Sequence, residues 1–414
     1  MTLDNVKTRE EAIQALDGYS SERQDELAND QKTGRPLLKT YMLETVPAHV
    51  TEPSVDGLFA AVGVTLTAID ETLFRAFDQR EKRVIGLVEK LLPRYPVFYS
   101  LEDSYIADRF VKNLVQQNAM LDRLWISGRA FADLFKFILG NTPKHRYGRM
   151  VFQYANVYES GEYGDLESGQ ADSDTSVRIR DDGDQPVVER RSTKTTIVER
   201  LSVLEKILPK MRGLYQPLNA IAQLRFPATG RGGHDFFFNG KVTNRSDSFK
   251  DHRQHVEFVL GRYKMATELT EKAAWGSLER TSMSTAGEKR ELLGAPVYLV
   301  FQEALSQSTF KTFIHATFNR MHSRFGLWGD PVWLGQTKVH VYAVDRHIWQ
   351  PLFLEITEKQ LVAIVPEGTC GNTINRLVTN VQQYLDPAVE VWVGDRRYDD
   401  LLATRSADGE GAIQ

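Results

Sequence analysis

The Asn239-Gly240 pair, set between Phe236-Phe237-Phe238 and Lys241-Val242-Thr243, is the strongest constraint this chain places on its own folding. Asn and Gly both tolerate the positive φ that a two-residue type I′ turn demands, so the flanking runs are expected to pair as a β-hairpin. Side chains alternate across a strand, which sends Phe236 and Phe238 to the core and Phe237 outward. Gly230-Arg231-Gly232-Gly233 supplies a second tight turn upstream, and Ser246 is placed to cap a helix from Asp247 to about Trp275.

The same segment is unusual in charge. Residues 225–256 hold six cations (Arg225, Arg231, Lys241, Arg245, Lys250, Arg253) against three acids, on a chain whose formal net charge is −4. Arg231, Lys241 and Arg245, with the backbone of Gly232 and Gly233, form a candidate anion site, because converging N–H groups and cationic side chains bind phosphate or carboxylate. The turn lacks the Gly-Lys-Ser/Thr ending of a P-loop and does not open a helix directly as a dinucleotide fingerprint does. His252 and His255 lie three apart on the expected helix. With His234 and Asp235 they make a candidate metal set, suited to zinc or another divalent ion, although no HExxH spacing specifies a cofactor.

Composition bounds the rest. With 414 residues, 42% hydrophobic and 26% charged, the chain is long enough for two or three packed domains. A net charge near zero excludes a wholly basic nucleic-acid coat, so any polyanion contact has to be local. The single cysteine, Cys370, excludes an internal disulfide or a multi-thiolate centre. Without an apolar leader or a run of about 20 apolar residues, no membrane association is expected and a cytoplasmic location fits.

The fold class expected is α/β (α+β): an N-terminal βαβα layer plus a C-terminal mixed-sheet α+β domain. The pattern assigns 1–54 to a flexible N-terminal arm, 55–158 to a small α/β domain with parallel pairing, and 159–194 to an acidic mobile linker. It gives 195–290 to a helical segment carrying the basic Gly-rich hairpin, 291–400 to the mixed-sheet domain and 401–414 to a disordered tail. Within these, Phe74 to Leu91 reads as one helix, and Ile197 to Met211 as another.

Two further groups have chemical potential. Cys370, in a turn before a helix, is a candidate reactive thiol, since a helix N-terminus stabilises thiolate. Asp345 and Glu355-Ile356-Thr357 approach the acid spacing of magnesium-dependent nucleases, but Thr357 stands where a lysine is needed. The functional reading is therefore a non-catalytic binding or regulatory protein that recognises nucleic acid or a phosphorylated ligand through 225–256. The competing readings are a metal-dependent phosphoester hydrolase or nuclease, and a scaffold subunit of a protein complex.

Overall fold

The structure is a computed structural model that describes residues 3–29, 33–158, 192–284, 287–318 and 324–403. The acidic linker expected at 159–194 lies outside the described residues as far as 191, and so does the tail from 404. The fold is a mixed α+β architecture of two sheets with helices packed on their faces.

The first half of the chain runs α1 (Arg9–Ala28), β1 (Lys39–Glu44), α2 (Val55–Ala60), β2 (Val64–Ala68), β3 (Leu73–Asp78), β4 (Arg83–Leu92), β5 (Tyr95–Ser100), α3 (Ser104–Gln117), β6 (Asp122–Arg123) and α4 (Gly128–Asn141). It continues with β7 (Tyr147–Ala155), β8 (Ser192–Arg200), α5 (Leu201–Leu214), β9 (Ile221–Pro227), β10 (Gly233–Phe237), β11 (Lys241–Asn244) and α6 (Phe249–Ala274). Ten of the strands form one path, β2-β3-β4-β5-β1-β11-β10-β9-β7-β8, with β6 added on β1. Every pairing in it is antiparallel, where strand–helix alternation had suggested parallel pairs. One face packs on α1, α4, α5 and α6 through residues such as Leu16, Phe131, Leu204 and Val256. The other packs on α2 and α3 through Phe59, Phe98 and Val111.

The second half runs β12 (Trp275–Ser284), β13 (Gly287–Leu293), β14 (Val297–Val300), α7 (Gln307–Phe318), β15 (Leu327–Trp333), β16 (Lys338–Asp345), β17 (Pro351–Thr357), β18 (Gln360–Pro366), α8 (Asn372–Tyr384), β19 (Glu390–Val393), β20 (Arg396–Arg397) and α9 (Tyr398–Ala403). Its sheet follows β15-β16-β17-β18-β14-β19-β20, antiparallel except where β12 joins β18 in parallel. α7 and α8 cover its inner face through Phe310, Phe313, Leu377 and Val381.

Three expectations are corrected. Phe74 to Leu91 is not a helix but the β3–β4 hairpin, because Asp78 accepts the Arg80 and Glu81 N–H groups at 2.7 and 3.1 Å and turns the chain. Ile197 belongs to β8, whose Thr- and Val-rich run pairs with β7, so the helix starts only at Leu201. The hairpin turn is a three-residue loop, 238–240, in which only Gly240 is left-handed (φ 78°) and its N–H donates to the Phe237 carbonyl at 3.1 Å. It sits in the middle of the first sheet, paired to β1.

Residues 1–54 are not a flexible arm in the part described. Thr8 and Glu11 form a capping box at the start of α1, and Ala12, Ala15, Leu16 and Tyr19 are buried against the first sheet's core. Asp17 reaches across to accept the Phe249 N–H at 2.8 Å, so α1 caps the start of α6. β1, with all six residues buried, sits between β5 and β11. Leu16→Ala should therefore cost about 2–5 kcal/mol in urea unfolding, as for other buried leucines; a cost under about 0.5 kcal/mol would mean that α1 is not docked.

Candidate functional site

The basic segment is folded in a way that spends its charge internally. Along β10, adjacent side chains take opposite faces, so His234 and Asp235 diverge. Asp235 receives Arg225 in a bidentate pair at 2.6 and 2.7 Å, and Arg245 at 2.9 Å. Burial, which alone raises a carboxyl, is outweighed by these guanidiniums, and Asp235 titrates below its usual range. Lys241 is buried and donates to Asp108 at 3.0 Å, while Arg253 binds Glu89 at 2.8 Å. Arg231 is exposed and pairs with Asp25 and Asp247. Gly232, left-handed at φ 82°, is tight against the Arg245 carbonyl rather than open to a ligand. Arg231, Lys241, Arg245, Gly232 and Gly233 thus do not converge on one anion; most of these groups hold the hairpin to its neighbours.

The histidines do converge. His234 from β10 and His252 and His255 from α6 bring their rings within 4.6 to 5.1 Å of His234. Asp251, which the sequence reading left out, takes the place given to Asp235: its carboxylate lies 2.9 Å from His234 Nε2 and accepts Thr229 N–H and Oγ1–H at 3.1 and 2.7 Å. Its signal was legible, one helical turn before His255 on the same face as the pair.

A second polar concentration lies where the two sheets meet. α8 is buried along its whole length up to Gln383, with Leu377 and Val381 toward the second sheet and its polar face toward the first. Asn372 Nδ2 donates to Asp122 at 3.1 Å, Gln382 Oε1 accepts the Gly128 N–H at 2.9 Å, and Arg376 is held between Asp122 and Asp345. Asp345 therefore serves Arg376 and Thr373, while Glu355 pairs with Lys338 and His340 on the outer face. The two acids do not form a magnesium site.

Beside Arg376 opens a cleft of about 80 Å³ between the end of α3, the segment around β6, and the β16–β17 turn. Lys112, Arg123, Arg324, Arg346 and Arg376 line it against one carboxylate, Asp122. Among the described residues Arg123 pairs with no acid, and Arg324 lies over the Tyr384 ring, 4.3 Å from its centroid, with Nη1 unpartnered. His347 also lines the cleft. It is 3% exposed, and neither of its ring nitrogens has a partner among the described residues, the nearby Thr45 main chain falling outside hydrogen-bond geometry. Burial pushes its pKa down, so it is a neutral imidazole with one donor and one acceptor unused. Ile348 and Trp349, next in the turn, are left-handed at φ 57° and 52°. That conformation costs on the order of 1–3 kcal/mol per residue and is held by Ile348 N–H on Ala119 O at 2.7 Å. These cations come from five separate segments, so no local motif could reveal them.

On the far side of the seam, Arg94 extends from the β4–β5 turn to Glu44 and Glu271, both at 2.6 Å. Cys370 is buried beside them; its partners are Arg94 and Glu44 rather than a histidine, and burial with the Glu44 charge pushes its thiol well above the ordinary range. This setting disfavours thiolate. Glu44 is raised to about 7 by burial, which outweighs the Arg94 charge, with Glu271 adding to the rise.

The fold and this seam define a class: a two-sheet α+β protein whose sheets are joined by a buried polar helix beside a cationic cleft. The chain belongs to the MJECL33-like protein family, whose model matches residues 1–201 and 229–399. It is 26% identical over 152 residues to the uncharacterized protein MJECL33 of Methanocaldococcus jannaschii, a match covering 37% of this chain and 34% of that relative. No solved structure matches. Among the described residues no helix is long and apolar enough to cross a membrane.

Glu44 also sets a pH dependence. A carboxyl raised from 4.5 to about 7 on folding binds its proton more tightly in the folded state. Its stabilising contribution is full below about pH 4.5, declines as pH rises, and is lost above about 7. Glu44→Gln should remove up to one proton's worth of slope, about 1.4 kcal/mol per pH unit, from stability measured by urea between pH 5 and 7. Identical profiles for the two proteins would show that Glu44 is ionised throughout.

Proposed function

We propose that this protein is a binding component that recognises a phosphate group, presented by a small phosphorylated ligand or by nucleic acid, in the cleft at the seam between its sheets. The observation that carries this reading is the convergence of Arg123, Arg324 and the unpartnered buried His347 on one concavity. A buried polar group without a partner costs about 1–3 kcal/mol, and a ligand oxygen offsets that cost. The volume of about 80 Å³ suits a phosphate-sized group and is well below the roughly 300 Å³ where sites for whole small molecules begin. The remainder of a larger ligand would lie outside, over Lys112 and Arg346. The site thus moves from the 225–256 segment, whose cations are paired within the protein, to residues of α3, β6, the β16–β17 turn and Arg324.

Titration of the protein with inorganic phosphate, pyrophosphate, a nucleoside triphosphate and a short single-stranded oligonucleotide tests this at low ionic strength. Arg123→Ala and Arg324→Ala should each weaken binding by about 10- to 100-fold, the range for charge-assisted hydrogen bonds. Arg231→Ala should leave it unchanged. Saturable binding of the small anions would indicate a phosphorylated ligand, and binding confined to the oligonucleotide would indicate nucleic acid. No anion binding, or equal binding by the Arg123 and Arg324 variants, overturns the proposal.

A further inference from the structure

A separate cluster, some of it visible in the sequence, carries its own inference. His234, Asp251 and His255 each offer a ligand atom, and these atoms lie within 4.8 Å of one another. All three are buried, and His252 beside them is fully so. We propose that His234, Asp251 and His255 bind a divalent first-row metal ion, zinc being the ion best suited to two imidazoles and a carboxylate.

The argument begins with charge. Among the described residues no Lys or Arg pairs with Asp251, in contrast to Asp235 one strand face away, which has two arginines. The Asp251 carboxylate instead accepts two hydrogen bonds from Thr229 and lies 2.9 Å from His234 Nε2. The three surrounding imidazoles are buried, with the His252 and His255 rings 5.1 and 4.6 Å from that of His234. The interior therefore holds a carboxylate among imidazole nitrogen donors, with no Lys or Arg paired to it among the described residues. Such a set is completed by a metal cation, which is more strongly bound by these donors than by water.

The donors are also backed as metal ligands usually are. His234 Nδ1 lies 3.2 Å from His252 Nδ1, and His252 Nε2 lies 2.7 Å from Thr40 Oγ1 on β1. With an ion on His234 Nε2, the His234 proton resides on Nδ1 and is donated to His252, whose Nε2–H is donated to Thr40. Each imidazole stays neutral, and the chain orients the His234 ring through a second layer of contacts. Thr229 does the same for Asp251 through two hydrogen bonds. Donor atoms of a tetrahedral site sit about 3.3 Å apart for bonds near 2.0 Å, so the cluster tightens by small side-chain rotations on loading. Thr229 belongs to a turn, 229–232, that is exposed to solvent, so the cluster lies directly beneath the surface on that side.

The test is a titration of the full chain, stripped with chelator, with Zn²⁺ and with Co²⁺, read by equilibrium metal content and by the visible ligand-field absorption of Co²⁺. One ion per chain is expected, with an absorption of tetrahedral type that Zn²⁺ abolishes. Asp251→Asn should weaken the ion at least about 10-fold, His252→Phe, which removes only the backing contact, about 10-fold, and Cys370→Ser should leave it unchanged. Because Asp251→Asn and His255→Gln alter buried residues whose loss can unfold the site, the spectrum of the unaltered protein decides first. Absence of stoichiometric Co²⁺ uptake there overturns the proposal, as does full uptake by a folded His234→Gln, His255→Gln double variant. Either result would leave the four residues as a hydrogen-bonded brace between β10 and α6. None of these measurements depends on the phosphate cleft.

Discussion

Arg376, fixed between Asp122 of the first sheet and Asp345 of the second, is the interaction on which the rest of the arrangement depends. α8 carries it through the seam, and a helix buried on all sides needs partners for most of its polar face, with Thr379 Oγ1 the exception among its described side chains. Asn372, Asn375, Gln382 and Gln383 meet that demand one by one, each with a specific atom of a neighbouring element. Such a network contributes less net stability than apolar packing of the same volume, yet removing one member is costly. Its bonds run to fixed atoms of both halves of the protein, so it ties the second sheet to the first at defined points.

That seating also creates the cleft. With Arg376 neutralised by two acids, Arg123 and Arg324 stand on either side of it without carboxylate partners among the described residues. The β16–β17 turn accepts two left-handed residues to bring Arg346 and His347 over the same space. Left-handed isoleucine is disfavoured by its branched Cβ, and a turn serving only to link two strands has cheaper solutions. The strain, the orphaned imidazole and the unpaired guanidinium coincide within one concavity, which is why the cleft and not the hairpin is favoured as the binding surface.

The legible and illegible parts of this fold divide by the range of the forces involved. Strands from Val339 to Val393 and helices α3, α4 and α6 were readable because periodicity acts within a few residues, although the cap of α6 is Ser248 and not Ser246. The β3–β4 hairpin was misread because Phe74, Phe77, Val84, Val88 and Leu91 fit a helical stripe as well as two strands, and pairing with β2 and β5 decides between them. The docking of α1 was missed because its buried side is mostly small, Ala12, Ala15 and Ser20, with Leu16 and Tyr19 the only large buried residues. At the histidine cluster, the residue types were evident but strand alternation was not applied to His234 and Asp235, so the wrong acid was chosen. The cleft left no trace in sequence because its residues are brought together only by the seam.

The buried charges show a common logic. Asp235 has two arginines in direct contact and Arg149 close by, Arg376 has two aspartates, and Arg94 has two glutamates, so each cluster is out of balance in charge. Each imbalance is met differently. The excess positive charge around Asp235 reaches solvent through the partly exposed Arg225. The excess negative charge around Arg94 is met by a proton on Glu44, held until about pH 7. The excess negative charge around Arg376 adjoins the cationic wall of the cleft, which it offsets only in part. Asp251 differs from these in having no Lys or Arg partner among the described residues and facing imidazoles instead, and that difference, more than the presence of three histidines, is what sets its cluster apart from an ordinary polar brace.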